Sequence, residues 1–552
     1  MLAPPSRYLA SPPLGQIILP VVLLFSGAFA LGAGQHEGND ASAKTKPGRR
    51  VQTSPEVQTV IDLAYTVPPE FGANALLRLV RAGLIPGKEK KLELLYDAFQ
   101  MALRAPEPVK YAFTGGFRGD SRQSELWLGY SCDVDRESLR CRAVQLVLRL
   151  DAQRARQWFE EIGLPKPPEH DCRSTLVYDP EIFYQTLGLL LREGFSEEER
   201  NKAEHVEFAE RYLKTLSSPA QVVPAAGMLA TLDLPGAQFQ RLLLAFSGAV
   251  EGMPPNSRAF RDGRRLIDAM RPLAERCRSA GIACDRLVAA VREHIRRNMS
   301  AVRCADSVER QARAPSFRPK SIQKAMWPAL DQEFNSWNAR EPPYVREEIP
   351  PLSPEEVRPE KIGPAPDIRK YWSGPTASRL LEEVRRLRFK RLNPPLGERP
   401  ERYTAEERQR HEWTSRFHAF LRRLESWDGE DEPDEVDHIL HKLMLYAGLA
   451  ELVPPGEPRD RLLASYIALL RDFLNRRTDL RAVALASAES LLQRLERSRL
   501  TAAGERKEQY EDVDWALRAL ERSGSPLLVL FAKLDRLTNP RSQPKERANG
   551  GA

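Results

Sequence analysis

Residues 196–216 read SEEERNKAEHVEFAERYLKTL, and their spacing decides the fold. Ser196 with Glu199 forms an S-x-x-E pattern, in which a hydroxyl accepts from first-turn N–H groups and a glutamate reaches back to cap the start. Val206, Ala209, Leu213 and Leu216 then fall at i, i+3, i+7 and i+10, one face of a helix. The stretches 90–105 (KKLELLYDAFQMALRA) and 461–477 (RLLASYIALLRDFLNRR) repeat that spacing. Further helix starts are written at Ser54-Pro55-Glu56, Asp179-Pro180-Glu181, Ser218-Pro219, Ser353-Pro354 with Glu356, and Thr404 with Glu407. Only residues 142–150 (RAVQLVLRL) read equally as strand or helix. The chain is expected to be all-α.

The starts at Asp179, Ser218 and Ser257 are 39 residues apart in each step, a period that suits two short helices and their turns. The fold class expected is therefore helix-pair, α-solenoid-like domains, with irregular helical bundles as the alternative. In architecture, FGANALLRLVRAG (71–83) and LYDAFQMALRAPEP (95–108) resemble tetratricopeptide or HEAT-type helix pairs, although the tryptophan, glycine and tyrosine positions that mark such repeats are not matched.

The first 33 residues read as a signal peptide. Arg7 supplies the positive start, Ile17 to Ala30 is an uncharged apolar run, and Ala28-Phe29-Ala30 is a small-x-small cleavage pattern. The mature chain is then expected to begin near Leu31 or Gly34. An uncleaved anchor is the other reading, but the run is short against the ~20 residues a span needs and Pro20 interrupts it. Residues 34–50 and 538–552 are polar enough to read as disordered. Eight prolines between Pro342 and Pro366 forbid a continuous helix, so residues 339–368 read as a linker between helical domains at 51–338 and 369–537.

All six cysteines lie in the first of these domains: Cys132, Cys141, Cys172, Cys277, Cys284 and Cys304. An even count in an exported chain points to disulfides, for which six cysteines allow 15 pairings. Cys277 ends one helical pattern, Gly281 suits its C-terminal cap and Cys284 opens the next, so a bridge there staples a corner. Cys132 and Cys141 flank the turn DVDRESLR, which leaves Cys172 and Cys304 as the long-range pair. Six buried thiols are the competing reading. No C-x-x-C pair is present to hold zinc.

The chemistry that the chain lacks narrows its function. RHEWTSRFHA (410–419) opens like a zinc-protease H-E-x-x-H, but position 415 is serine and His418 stands at i+7, roughly 10 Å along a helix axis from His411. Trp413, Phe417 and Leu421 suit an apolar face instead. His438 and His441, at i and i+3 beside Asp434, Glu435 and Asp437, are the better-spaced candidates for a divalent ion, against an ordinary acidic helix start. EDEPDEVD (430–437) lacks the calcium-loop spacing. No G-x-S-x-G elbow, phosphate loop or dinucleotide turn occurs, so no catalytic residue and no cofactor is assigned.

The net charge of +7 comes from 83 basic against 76 acidic residues, interleaved along the chain, and VRRLRFKR (384–391) follows Glu382 and Glu383 directly. A charged helix surface accounts for it, and no nucleic-acid partner is expected. Tyr371, Trp372 and Trp427 suit packing as well as sugar stacking, and Asn298-Met299-Ser300 is a glycosylation sequon. The sequence leads to an exported, periplasmic or extracellular, non-catalytic helical scaffold that binds a protein or polymer, with no membrane span in the mature chain. The rival is a cell-envelope enzyme acting on polysaccharide or peptidoglycan through paired carboxylates. Nothing in the sequence sets the oligomeric state.

Overall fold

Ser54 accepts from the Val57 N–H at 3.3 Å and starts the first helix as its spacing predicts. The structure, a computed structural model, describes residues 53–113, 127, 129–168, 176–256, 259–260, 263–300, 303–304, 359–360, 375–392, 415–432, 435–450, 457–497 and 507–539. The fold is all-α. The first helices are α1 (Pro55–Ala64), α2 (Pro69–Arg81), α3 (Lys88–Ala102), α4 (Arg136–Leu148), α5 (Ala152–Ile162) and α6 (Glu181–Glu193). There follow α7 (Glu197–Asn201), α8 (Glu204–Leu213), α9 (Val222–Ala230), α10 (Gly236–Gly252), α11 (Gly263–Ser279) and α12 (Asp285–Ser300). The later set is α13 (Pro375–Leu392), α14 (residues 415–426), α15 (Glu435–Ala450), α16 (Glu457–Arg476), α17 (Arg481–Arg497), α18 (Lys507–Glu521) and α19 (Pro526–Thr538). Among the described residues, strands are limited to an antiparallel pair, β1 (Tyr111–Phe113) with β2 (Leu176–Tyr178), and a parallel pair, β3 (Arg303–Cys304) with β4 (Pro359–Glu360).

In the opening stretch the expected reciprocal cap forms: the Ser196 N–H donates to Glu199 at 2.7 Å and the Glu199 N–H to Ser196 Oγ at 3.3 Å. The capped helix is short. Ala203 takes a left-handed conformation at φ 60°, which ends α7 and starts α8 on a new axis. Val206, Ala209, Leu213 and Leu216 are all buried, as their spacing requires. Residues 142–148 belong to α4, and the reason for their ambiguity is visible. α4 is enclosed on nearly all sides, with Glu137, Arg140 and Arg142 buried along with its leucines and valines, so no polar face marks its period.

From α4 onward the helices stack in two rows. One row runs α4, α6, α9, α11, and the other α8, α10, α12, each packed on the next. α5 joins the second row through Phe159 and the rings of Phe208 and Tyr212. The step is near the spacing expected from Asp179 and Ser218: Gln145 donates to Thr186, 41 residues on, and Arg192 to Thr231, 39 residues on. Ser218 caps a short 3-10 turn, Pro219–Gln221, that leads into α9, and Asp179 accepts from the Glu181 N–H at the start of α6. Ser257, Ser353 and Thr404 lie outside the described residues.

Cys277 and Cys284 are bridged across the α11–α12 corner, and Gly281 between them sits at φ 63°, where only glycine is unstrained. The Ile282 N–H donates to the Cys277 carbonyl at 2.8 Å and closes the cap. The expected Cys132–Cys141 bridge is not formed. Cys141 is buried within α4, whereas Cys132 precedes the turn at Asp133 (φ 53°) and directs its Sγ toward the Ala482 carbonyl, 4.0 Å away. Both are thiols, and burial pushes that of Cys132 up to about 12. Cys172 lies outside the described residues.

The later helices pack on one another and belong to the same buried cluster as the earlier ones: α15 packs on α13, α16 and α17, and α18 packs on α16, α17 and α19. α19 also lies against α1 and α2, with Arg78 donating to Thr538 at 2.6 Å. A second contact joins Gly129 to Val483, so close that a side-chain carbon at 129 would stand 2.8 Å from Val483 Cγ2 and 3.0 Å from its backbone nitrogen.

Candidate functional site

Three places bring together the chemistry that the sequence made available. The first is the start of α4. Asp135 caps the helix by accepting from the Ser138 N–H at 2.8 Å, and two residues later Glu137 points into the protein. The Tyr178 hydroxyl donates to both Glu137 carboxyl oxygens, at 3.0 and 2.9 Å. Lys110 pairs with Asp133 at 2.6 Å, and its backbone carbonyl accepts from the Asp179 N–H, which ties the strand pair to the helix start.

Burial governs the protons here. It raises the Glu137 carboxyl to about 8, the Asp135 charge adding to the effect, and raises Asp135 to about 6. Burial also works against the Lys110 ammonium, but Asp133 and its neighbours outweigh it and leave the amine raised. Arg142 is lowered to about 10 by burial, with Arg81 contributing. At neutral pH the Glu137 carboxyl therefore keeps its proton. Paired carboxylates with separated proton affinities are what acid–base hydrolysis uses. Asp135 and Glu137 are only 3% and 7% exposed, however, so a substrate has no described route to them.

The second place is the seam between α8 and α10. Glu210 and Lys214 face Gln240, Arg241 and Leu244 across an open depression of about 590 Å³. Leu244 is 44% exposed, one of few large apolar side chains outside the core. The rim is held by charge: Arg211 to Glu160 at 2.8 Å, Arg241 to Glu210 at 2.6 Å and Arg286 to Glu251 at 3.1 Å run along successive helices of the row. All three pairs lie at or near the surface and each contributes little to stability, on the order of 0.5 kcal/mol. Their effect is to set the helices in register.

The third place holds the two histidines once considered for a metal. His438 donates from Nε2 to the Trp427 carbonyl at 3.1 Å and stands edge-on to that indole, while His441 pairs with the enclosed Glu432 at 3.1 Å. Among the described residues no three His, Cys, Asp or Glu side chains form a metal-binding group. The acidic run around them is shared out: Asp431 accepts from the Thr376 N–H at 2.7 Å and from the Trp427 indole at 3.1 Å, and Glu435 pairs with Arg476 at 2.5 Å. Trp427 is buried, so it offers no stacking platform to a sugar.

Other sequence features also have places. Phe417 and Leu421 are buried on α14 as their spacing predicts, with His418 edge-on to Phe417. Trp413, His411, Tyr371 and Trp372 lie outside the described residues. The sequon asparagine Asn298 is 1% exposed, accepts from the Asn256 N–H at 2.9 Å and donates to the His294 carbonyl at 2.8 Å, an arrangement with no room for a glycan in the folded chain. Sequence reasoning missed the Glu137–Tyr178 pair. Its members stand 41 residues apart, and neither belongs to a motif.

No family model, curated protein or solved structure matches this chain. Function must be read from the residues themselves.

Proposed function

We propose that the chain is an exported, non-catalytic helical scaffold of the cell envelope or extracellular space, which binds a protein or polymer partner along the α8–α10 seam. The observation that carries this reading is the open seam itself, where Leu244 stands exposed between Glu210, Lys214 and Arg241. A partly apolar strip rimmed by charge suits a partner that buries the leucine and pairs with the rim. Export rests on the N-terminal sequence, whose residues lie outside those described. Among the described residues, no helix is long and apolar enough to cross a membrane.

The second reading, a carboxylate-pair enzyme of the envelope, draws on Asp135 and Glu137. Their burial weighs against it, because hydrolysis needs both groups to reach the scissile bond.

A photo-crosslinking amino acid at position 244, compared with one at the equally exposed Leu103, tests the scaffold reading in the source cell. One discrete adduct from 244 and none from 103 is the expected result. Equal labelling from both positions, or an intact Met1 on chain recovered from the cytoplasm, contradicts it.

A further inference from the structure

Arginines gather where α2 packs on α4. Arg78 and Arg81 stand at i and i+3 on α2, while Arg142 on α4 and Arg149 at its C-cap stand at i and i+7, so each pair lies on one face of its helix. Arg142 is buried, at 7% exposure, and its one side-chain hydrogen bond among the described residues runs from Nη1 to the Asp133 carbonyl at 3.2 Å rather than to a carboxylate. The Asp133 carboxylate is held by Lys110 at 2.6 Å, and that of Asp135 caps α4 through the Ser138 N–H. Arg81 and Arg149 reach the surface, and among the described residues neither side chain makes a hydrogen bond or ion pair.

The three guanidinium groups feel one another. Arg142 is lowered by burial first and by Arg81 next, with Asp133 acting the other way. Arg81 is lowered by the protein around it, against the pull of Asp133 and with the help of Arg149. Like charges held together without a matching carboxylate disfavour one another, and a bound anion relieves them. A carboxylate brings one negative charge and fills one guanidinium fork. A phosphate group carries up to two charges and presents oxygens on several sides, which suits forks arriving from two helices. We propose that the α2–α4 face is an anion site in which Arg81, Arg142 and Arg149 hold a phosphate group, carried free or as the monoester of a small molecule. The site shares no helix with the α8–α10 seam and stands whether or not that seam binds.

Titration calorimetry of the full chain with inorganic phosphate and with phenyl phosphate, at low salt and near neutral pH, provides the test. Saturable binding is expected; tighter binding of phenyl phosphate marks a monoester as the ligand, and equal or weaker binding marks the free ion. Affinity should fall by about tenfold or more in R81Q/R149Q, a surface variant checked for an unchanged melting temperature without phosphate, and should stay unchanged in K214E on the other seam. R81K/R149K keeps both charges but not the forks and should lose less than R81Q/R149Q. Absence of saturable binding of either phosphate, equal affinity in the parent and R81Q/R149Q, or acetate bound as tightly as phosphate overturns the proposal.

Discussion

The two halves of the molecule solve the same packing problem differently. From α4 to α12 each helix touches the next in its own row, so the fold extends by repetition and leaves seams at the surface. From α13 to α19 the helices close around a shared core, and α19 turns back onto α1 and α2. In the first half the polar groups sunk into the core, Glu137, Asp135 and Arg142, are displaced from their ordinary proton affinities. In the second, the half-buried Asp431 is held below its ordinary range, partial burial being outweighed by the Thr376 and Trp427 N–H groups that donate to it, and the buried His441 stands 3.1 Å from Glu432. A stacked array tolerates a strained polar start at one end, because the rest of the row does not depend on it.

The largest expected effect comes from the proton on Glu137. Its carboxyl is raised in the fold from the ordinary 4.5 to about 8 by burial and by Asp135, so the folded chain binds more protons than the unfolded chain across that window. Stability should fall as pH rises from about 4.5 through 8. Glu137→Gln keeps an acceptor for Tyr178 and removes the titration, so denaturant melts at pH 9 should show it more stable than the parent by several kcal/mol, an order-of-magnitude figure, with the gap closing near pH 5. Parallel pH profiles would mean that Glu137 is not held as described.

Next in size is the junction between the halves. Gly129→Val forces bulk against the Val483 backbone and should cost about 3 kcal/mol. Proteolysis within the proline-rich 339–368 stretch should leave two fragments that elute together from the parent chain and separate in this variant. Fragments that part in both would show the halves to be independent.

The smallest effect concerns the corner staple. Cys277 and Cys284 close a loop over a separation of 7 residues, so Cys277→Ser should cost about 2 kcal/mol. Calorimetry should place that loss in the stacked half alone.

Much of this architecture is legible in the sequence because it is written locally. Ser54, Ser196 and Gly281 act within a few residues of themselves, and the apolar face from Val206 to Leu216 needs only the helical period. What escaped detection is non-local or lacks contrast. Cys132 and Cys141 are near in sequence, yet the turn at Asp133 sends one toward α17 and sinks the other in α4. Ala203 gives no sign of its left-handed break, since nothing about an alanine announces one. His438 and His441 share a helix, but their partners, the Trp427 carbonyl and Glu432, are set by a turn that spacing does not specify. The candidate seam is likewise assembled from two helices whose charges look ordinary when read alone.

The scaffold account stands or falls on the absence of turnover at Asp135 and Glu137. Purified mature chain incubated with peptidoglycan and with soluble polysaccharides, and followed by release of new reducing ends, measures this directly. The account predicts no release above a heat-denatured control, in the parent chain and in Glu137→Gln alike. Product release that disappears in Glu137→Gln or Asp135→Asn, with melting temperatures preserved, would contradict it and identify the buried pair as a catalytic centre.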